Sequence, residues 1–305
     1  MRVGEGPVLG AVPNYSEGRR TDVIDDICKA MQVPGAHLVH RQADADHNRL
    51  DTTVIGTPAA VQRSAMAGAA RAVRLIDMEG HRGGHPRMGA VDVIPFLPIR
   101  GLSMGAVIGV ARVFAQEIAH ELQIPVYLYD RAALIPERRS LADVRRGEYE
   151  GLKAAVARGE RLPDAGPAAL GPAGAVAVGA RVPLVAFNLY LEGADETSAK
   201  AIAREIRESN GGLPGVRAIG FFVPERGRAT VSMNLVDHEL TGPRKAFDAV
   251  AAKVAERGAR ITESEIVGLV PQAALRAGDI EHIRLARFDP ERQILERLVA
   301  EREDG

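Results

Sequence analysis

The stretch LDTTVIGTPAAVQRSAMAGAARAVRLID, residues 50–77, decides the fold class because two kinds of secondary structure follow each other directly in it. Residues 50–56 are rich in β-branched side chains, which favour a strand. Residues 58–77 are rich in alanine and begin with Pro58, whose missing N–H costs nothing in the first turn of a helix. The stretch therefore predicts mixed α and β structure.

The neighbouring segments extend this pattern in both directions. The chain has, in order, a strand at 7–12, a helix at 20–31, strands at 36–41 and 50–56, a helix at 58–77 and a strand at 90–98. This β-α-β-β-α-β order is typical of the ferredoxin-like fold. A helix at 103–122 and a strand at 124–130 are predicted to extend it.

The same order returns after residues 158–181, a segment of glycine, alanine and proline that predicts a linker or a ligand-lining loop. The second set comprises a strand at 184–191, a helix at 194–209, strands at 215–223 and 228–236, a helix at 243–257 and a strand at 264–270. The prediction is an α+β protein of two tandem ferredoxin-like βαββαβ subdomains, residues 1–180 and 181–305, each an open sheet with helices on one face. The last thirty residues, rich in Glu and Arg, predict a terminal helix with salt-bridged faces.

Composition narrows the classes of function. The 39 basic and 40 acidic residues nearly cancel, so the net charge of −1 predicts no general attraction to nucleic acid or to an anionic membrane. The lone cysteine, Cys28, excludes an internal disulfide framework and a cysteine-based zinc site. The chain starts without the features of a signal peptide, and no apolar run reaches the length of about 20 residues that spans a bilayer. We expect a cytoplasmic enzyme or binding protein.

The stretch HRGGHPRMGAVDVIPF, residues 81–96, is where chemistry is expected. His81 and His85 have the i, i+4 spacing of a helical zinc pair, but Gly83 and Gly84 between them and Pro86 after them disfavour a helix. A loop site with distant ligands, and an ordinary exposed loop, both remain as alternatives at this point.

The same loop has the features of an active-site turn. Its glycines let the backbone approach a ligand closely, and Pro86 makes the segment rigid. His85 could exchange protons near neutral pH, and Arg87 could fork onto a carboxylate. Asp92 could orient a histidine or could equally cap a turn.

Several stretches resemble the formiminotransferase family. They are VPNYSEGR (12–19), DHNRLDTTVIGTP (46–58), LIDMEGHRGGHPRMGAVDVIPFLPIRG (75–101), VYLYDRAA (126–133), EYEGL (148–152), GAVAVGAR (174–181), LVAFNLYL (184–191) and SEIVGLVP (264–271). HPRMGAVDV is the most specific of them. The resemblance runs in order over nearly the whole chain.

This resemblance implies a transferase of histidine degradation that moves a formimino group from N-formimino-L-glutamate to tetrahydrofolate. It also implies two similar subdomains with a folate-holding tunnel between their sheets, and a homodimer. The histidine of HPRMG is the catalytic acid/base in this family, so that role falls on His85. Residues 164–174 match the folate-lining segment, which implies folate contacts for Gly166, Pro167, Pro172, Ala173 and Gly174. Bifunctional relatives carry a further cyclodeaminase domain, for which we expect no room in 305 residues.

The reaction also needs groups that hold the carboxylates of glutamate and folate. The candidates are Arg49, Arg87, Arg181 and Arg207, each of which could instead form a structural ion pair. Asn48 is a polar loop residue with the same two alternatives. Asn14 and Glu17 could contact ligand, whereas helix capping by Ser16 and Glu17 would also explain that loop. No metal site is predicted.

The chain departs from its relatives at three places. Gly84 stands where relatives often have an acidic residue, and Gln42 is the equivalent of another acidic residue, for which Asp44 and Asp46 are close enough to substitute. The segment GPAGAVAVGAR (171–181) lacks the hydroxyl or aromatic groups of several relatives, so folate contacts could differ.

Two alternative functions stay open on the sequence alone. One is formyl transfer from N-formylglutamate or formyl-folate, and the other is folate binding without turnover. We also expect Gly174→Val to weaken folate binding more than it lowers thermal stability, because a branched side chain would occupy the close approach to the pterin ring.

Overall fold

A computed structural model describes residues 6–304 of the chain. The chain separates into two compact units that meet in sequence at Arg181 and Val182, and the second unit comprises Val182–Glu301. Each unit has its own β-sheet and its own hydrophobic core, so the predicted α+β class with two sheets is confirmed. Within residues 6–304, every helix is too short or too polar to cross a lipid bilayer.

The first unit contains seven strands and five helices within the described residues. The strands are β1 (Val8–Ala11), β2 (Asn14–Tyr15), β3 (Ala36–Asp44), β4 (Arg49–Gly56), β5 (Val91–Arg100), β6 (Val126–Asp130) and β7 (Val176–Ala180). The helices are α1 (Thr21–Ala30), α2 (Pro58–Leu75), α3 (Met104–Leu122), α4 (Leu141–Val144) and α5 (Glu148–Ala157).

The first strand of this sheet is broken in its middle. Both β1 and β2 pair with β4 on one side and with β5 on the other, and Pro13, which has no N–H to donate to a ladder, lies at the break. The sheet order is β3, β4, β1 with β2, then β5, all antiparallel, and it continues through β7 to β6 with parallel pairing. The amino ends of β5, β7 and β6 therefore lie side by side at one end of the sheet.

The prediction that residues 158–181 form a linker or loop was wrong at its end. Residues 176–180 are strand β7, buried between β5 and β6. One of the small residues that resemble a linker is needed for packing in this strand, because a Cβ on Gly179 would lie 2.4 Å from Cε1 of Tyr129. Helices α4 and α5, at 141–157, were not predicted.

Small residues on α2 let the helix lie close to the sheet. Ala60, Ala65, Ala69 and Ala72 are buried, and a Cβ on Gly68 would lie 2.3 Å from the hydroxyl oxygen of Tyr15. This approach fixes the strand that leads into the loop at residues 16–20.

The second unit is built from four strands and five helices within the described residues. The strands are β8 (Val185–Glu192), β9 (Val216–Val223), β10 (Arg228–Leu235) and β11 (Arg260–Val267), in the antiparallel order β11, β8, β10, β9. The helices are α6 (Glu196–Ile206), α7 (Pro243–Ala255), α8 (Asp279–His282), α9 (Pro290–Gln293) and α10 (Leu295–Asp304), of which the residues up to Glu301 belong to this unit.

Two predictions for the second unit need correction. Strand β11 begins at Arg260, four residues before the predicted start at 264. The predicted single terminal helix is instead three short helices, α8 to α10, since Gly278 and Pro290 interrupt the pattern and Arg284 and Arg287 have left-handed backbone angles.

Candidate active site

His85 lies in the loop of residues 76–90, which joins the end of α2 to the buried first residues of β5. Asn48, with a left-handed φ of 50°, connects this loop to two others. Its Oδ1 accepts from the N–H of Gly18 at 2.9 Å, and its Nδ2 donates to the carbonyl of Arg82 at 2.9 Å. The loops after β2, between β3 and β4, and before β5 are thus held together by one side chain.

Close backbone contacts make the same arrangement rigid. A Cβ on Gly83 would lie 2.4 Å from the carbonyl oxygen of His47, so only glycine fits there. Ser16 donates from its backbone to Ala90 and from its hydroxyl to the carbonyl of Gly89, at 3.0 and 2.8 Å. The turn that carries His85 is therefore fixed on both sides.

The imidazole of His85 is half-buried and is oriented by its own turn. Its Nδ1 lies 2.7 Å from the carbonyl oxygen of Pro86, which can only accept, so Nδ1 carries the proton and Nε2 keeps its lone pair. Burial, together with the positive charges of Arg49 and Arg145, lowers the pKa of His85 to about 4. The ring is therefore a neutral base at neutral pH.

We expect this protonation behaviour to be visible in solution. In an NMR pH titration of the protein, the His85 resonances should shift with a pKa of about 4 and show the Nδ1–H tautomer above it. The signals are assigned by their loss in His85→Ala. A titration centred at 6.5, the usual value for histidine, would contradict the described environment.

Asp92 forms a buried ion cluster beneath this turn. Its carboxylate is 0% exposed and accepts from the N–H of Met88 and from Nη1 of Arg49, both at 2.9 Å, and from Nη2 of Arg145. Burial would raise the pKa of Asp92, but Arg145 and Arg49 outweigh it and lower the pKa below its usual value. Of the two predicted roles, the contact with Met88 fits the turn cap, and the described contacts of Asp92 do not include His85.

Arg87 is held by internal carboxylates. Its guanidinium donates to Glu150 at 2.9 and 2.7 Å and to Glu148 at 2.5 Å, and its side chain is 8% exposed. The fork predicted for a ligand carboxylate thus connects the His85 loop to α5. These contacts favour a structural role for Arg87.

His81 differs from His85 in its surroundings. It is 7% exposed, its Nε2 lies 3.4 Å from the carbonyl of Asn48, and its Nδ1 lies 3.3 Å from Nε of Arg87. Residues 81–85 form no helix, so the helical zinc pair is ruled out. Across residues 6–304, no three His, Cys, Asp or Glu side chains are grouped to hold a metal ion.

The segment of residues 172–175 pairs with the residues that follow His85. The carbonyl of Ala173 accepts from Ala90 at 2.8 Å, the N–H of Ala175 donates to Met88 at 2.9 Å, and the carbonyl of Pro172 accepts from Met78. Gly166 and Pro167 lie near the amino end of β6, at the same end of the sheet, where a Cβ on Gly166 would be 2.3 Å from the carbonyl oxygen of Ile124. The segment thus runs along the end of the sheet near which His85 lies.

These contacts reverse the expectation for Gly174. Its φ is +70°, and a Cβ there would lie 2.3 Å from the carbonyl oxygen of Met88. We expect Gly174→Ala to lower the free energy of unfolding by about 2 kcal/mol or more, measured by chemical denaturation. Gly171→Ala is the matched control in the same loop, since its Cβ would meet nothing within 4 Å. Equal effects of the two substitutions would contradict the described backbone.

The other predicted binding residues have internal partners. Arg49 is buried and donates to Asn14 as well as to Asp92, while Asn14 also donates to Val12. Glu17 accepts from the backbone N–H groups of Arg19 and Arg20, which precede α1. The N-cap residue of α1 is Arg20 and no side chain caps it, so the capping alternative for this loop was wrong.

The remaining two arginines lie elsewhere. Arg181 follows β7, at the opposite end of the parallel strands from His85. Arg207 belongs to the second unit, follows α6, and donates from Nε to Asn210 at 2.6 Å.

Sequence reasoning did not identify three features of this region. Arg145 lies in a segment with no recognised pattern, and its buried Nε has no hydrogen-bond partner among residues 6–304. Glu148 and Glu150 were likewise unexpected as partners of Arg87. The third feature is the pair of Asp44 and His47, whose spacing of three residues in a short turn was a usable signal.

A histidine with an available basic nitrogen, fixed on a rigid turn, is typical of enzymes that move protons between reacting groups. Comparison with known proteins identifies the family. The model of the formiminotransferase domain, N-terminal subdomain, matches residues 8–181, and the model of the formiminotransferase domain matches residues 186–295. The chain therefore belongs to the formiminotransferase family of transferases, as its motifs predicted.

Individual relatives agree with this assignment. A glutamate formimidoyltransferase from Streptococcus pyogenes serotype M1 is 38% identical over 95% of this chain and 97% of its own. One from Thermoplasma acidophilum is 39% identical over 96% of this chain and 97% of its own. A formimidoyltransferase-cyclodeaminase from Rattus norvegicus is 39% identical over 96% of this chain, which spans 60% of the rat protein.

Proposed function

We propose that this chain is a glutamate formimidoyltransferase. It transfers the formimino group of N-formimino-L-glutamate to tetrahydrofolate and gives 5-formimidoyltetrahydrofolate and L-glutamate, a step of histidine degradation. The observation that carries the proposal is His85, a neutral imidazole with an available Nε2 in the HPRMG motif of a chain that belongs to this family. The names of the bacterial and archaeal relatives, aligned over nearly their whole length, support the same activity.

The reaction requires two proton transfers around one carbon. N5 of tetrahydrofolate attacks the amidine carbon and loses a proton, while the amine of glutamate leaves with the bonding electron pair and gains one. Nε2 of His85 accepts the proton from N5, and a positioned group of this kind contributes about 10²–10⁴-fold to the rate. The buried Asp92 cluster keeps Arg49 and Arg145 beneath the ring, and their charges hold it in the basic form.

The ligand contacts are part of this proposal. Residues 166–167 and 172–174 contact folate, supported by the pairing of the latter with the residues that follow His85. Contacts from Asn48, Arg49 and Arg207 to substrate stay predictions. Asn48 and Arg49 form hydrogen bonds within the protein, and these bonds support the turn that carries His85.

Each subdomain is proposed to be ferredoxin-like. The order fourth, first, third, second for the strands of the second unit supports this, as does the same order among β1, β3, β4 and β5. Residues 1–180 form the subdomain that carries the catalytic histidine, and residues 181–305 form the other. The tunnel between the sheets, the homodimer and the cytoplasmic location stay predictions.

A spectroscopic assay tests the activity. The protein is mixed with tetrahydrofolate and one of N-formimino-L-glutamate, N-formylglutamate or no donor, and the conversion of the folate is followed. Turnover with the formimino donor alone is expected. Turnover only with N-formylglutamate would replace the proposal by formyl transfer, and folate binding without turnover would make the chain a binding protein.

A further inference from the structure

A second histidine faces His85 from the turn between β3 and β4. The ring centroids of His47 and His85 lie 6.3 Å apart, in an edge-to-face arrangement with an interplanar angle of 73°. A hydrogen bond between a ring nitrogen and an atom of a reacting group spans about 2.6–3.2 Å. A centroid separation of 6.3 Å is short enough for one small group to reach a nitrogen of each ring.

His47 is oriented by a carboxylate. Its Nδ1 lies 2.6 Å from Oδ2 of Asp44, while Oδ1 of Asp44 accepts from the backbone of Asp46 and His47, both at 2.9 Å. Burial would raise the pKa of Asp44, but these bonds outweigh it and lower the pKa, so the carboxylate is ionised at neutral pH. A carboxylate bonded to Nδ1 fixes the orientation of the ring and leaves Nε2 as the position that gives or takes a proton.

The surroundings keep the ring accessible. The side chain of His47 is 57% exposed. A Cβ on Gly84 would lie 3.9 Å from Cδ2 of His47, so the glycine leaves the space beside Nε2 without a side chain. The turn itself is fixed, because the next residue, Asn48, is bonded to two other loops.

His85 alone has only one nitrogen for the two transfers. Its Nδ1 is bonded to the carbonyl of Pro86, so Nε2 must do all the work if no other group takes part. Its low pKa keeps the ring in the basic form at neutral pH, so few His85 rings carry a second proton that could be given to the leaving nitrogen. His47, whose Nδ1 is held by Asp44 and whose ring faces His85, is placed to supply the second transfer from its Nε2.

We propose that His47, oriented by Asp44, is the general acid of the reaction. As the carbon–nitrogen bond to glutamate breaks, the electron pair stays on the glutamate nitrogen and Nε2 of His47 gives its proton to that nitrogen. His85 has by then taken the proton of N5, and exchange with water returns both rings to their starting states, so no other reactant is needed. The inference rests on the proposed formimidoyltransferase activity.

The test is steady-state kinetics with both substrates on the full chain. His47→Ala is expected to lower kcat by about 100-fold with KM within about threefold, and Asp44→Asn by about tenfold, since general acids contribute on this scale. His120→Ala and Asp22→Asn, on the exposed faces of α3 and α1, are matched controls that keep the wild-type rate. Melting temperatures of all variants are compared first.

Chemical rescue separates a proton donor from a structural residue. Position 47 is open to solvent, so added imidazole should restore part of the lost rate of the His47→Ala variant. Position 85 is half-buried, so imidazole should restore none of the lost rate of the His85→Ala variant. A wild-type rate in His47→Ala, a loss confined to KM, or a loss that imidazole does not relieve would overturn the inference while the activity stands. A wild-type protein inactive with N-formimino-L-glutamate would overturn the proposed function and this inference together.

Discussion

Replacing His85 with alanine is expected to lower kcat by about 10²–10⁴-fold, the scale of a positioned acid/base group. The substitution removes the one ring nitrogen that the turn presents as a base, while Asp92, Arg49 and Arg145 keep their mutual bonds. KM for both substrates and the melting temperature should therefore change little. The measurement is steady-state turnover of tetrahydrofolate with N-formimino-L-glutamate.

His81→Ala is the matched control for this prediction. His81 is buried against Arg87 and Asn48, so its loss should lower stability and leave turnover within about tenfold of wild type. Equal losses of turnover from the two substitutions would point instead to a site that uses both rings. If chelator also abolished wild-type activity and zinc restored it, the acid/base role of His85 would be wrong.

Asp92→Asn is expected to have the largest effect on stability, lowering the free energy of unfolding by about 3–5 kcal/mol. The substitution keeps the volume of the side chain but removes the buried carboxylate opposite the guanidinium of Arg145, and leaves buried Arg49 with the half-exposed Asp51 as its opposing charge. The measurement is chemical denaturation followed by circular dichroism.

Asp51→Asn supplies the control, because Asp51 also lies within reach of Arg49, at 3.4 Å, but is 48% exposed. Pairs this exposed contribute about 0–1 kcal/mol. If Asp92→Asn cost no more than Asp51→Asn, the buried cluster would not be the support of the His85 turn.

The order of strands and helices was largely predictable because periodicity and composition act locally. Strand β4 and helix α2 lie where residues 50–77 predict them, within two residues at each end. Strand β7 was missed because its glycine, Gly179, is required by the ring of Tyr129 on the neighbouring strand, a contact that a local pattern does not contain. The break between β1 and β2 is likewise visible only once both neighbouring strands are known, although Pro13 marks it.

The site was predictable only at the residues that carry a motif. His85 was found because HPRMG is specific, and its turn is as rigid as its glycines and Pro86 predict. The partners of Arg87 lie 61 and 63 residues away, and Arg145 lies 53 residues from Asp92, so no local pattern could pair them. For that reason Arg87, which seemed suited to a ligand carboxylate, proved to be bonded to carboxylates of the protein itself.

The most direct test of the proposed activity follows the formimino nitrogen itself. N-formimino-L-glutamate labelled with ¹⁵N at the imino nitrogen is incubated with tetrahydrofolate and the protein, and the folate product is analysed by mass spectrometry. The proposal predicts that the folate gains both the carbon and the ¹⁵N, that unlabelled L-glutamate is released in equal amount, and that His85→Ala forms the product at least about 100-fold more slowly. Recovery of the ¹⁵N as free ammonia with no labelled folate, or an equal rate in His85→Ala, would contradict it.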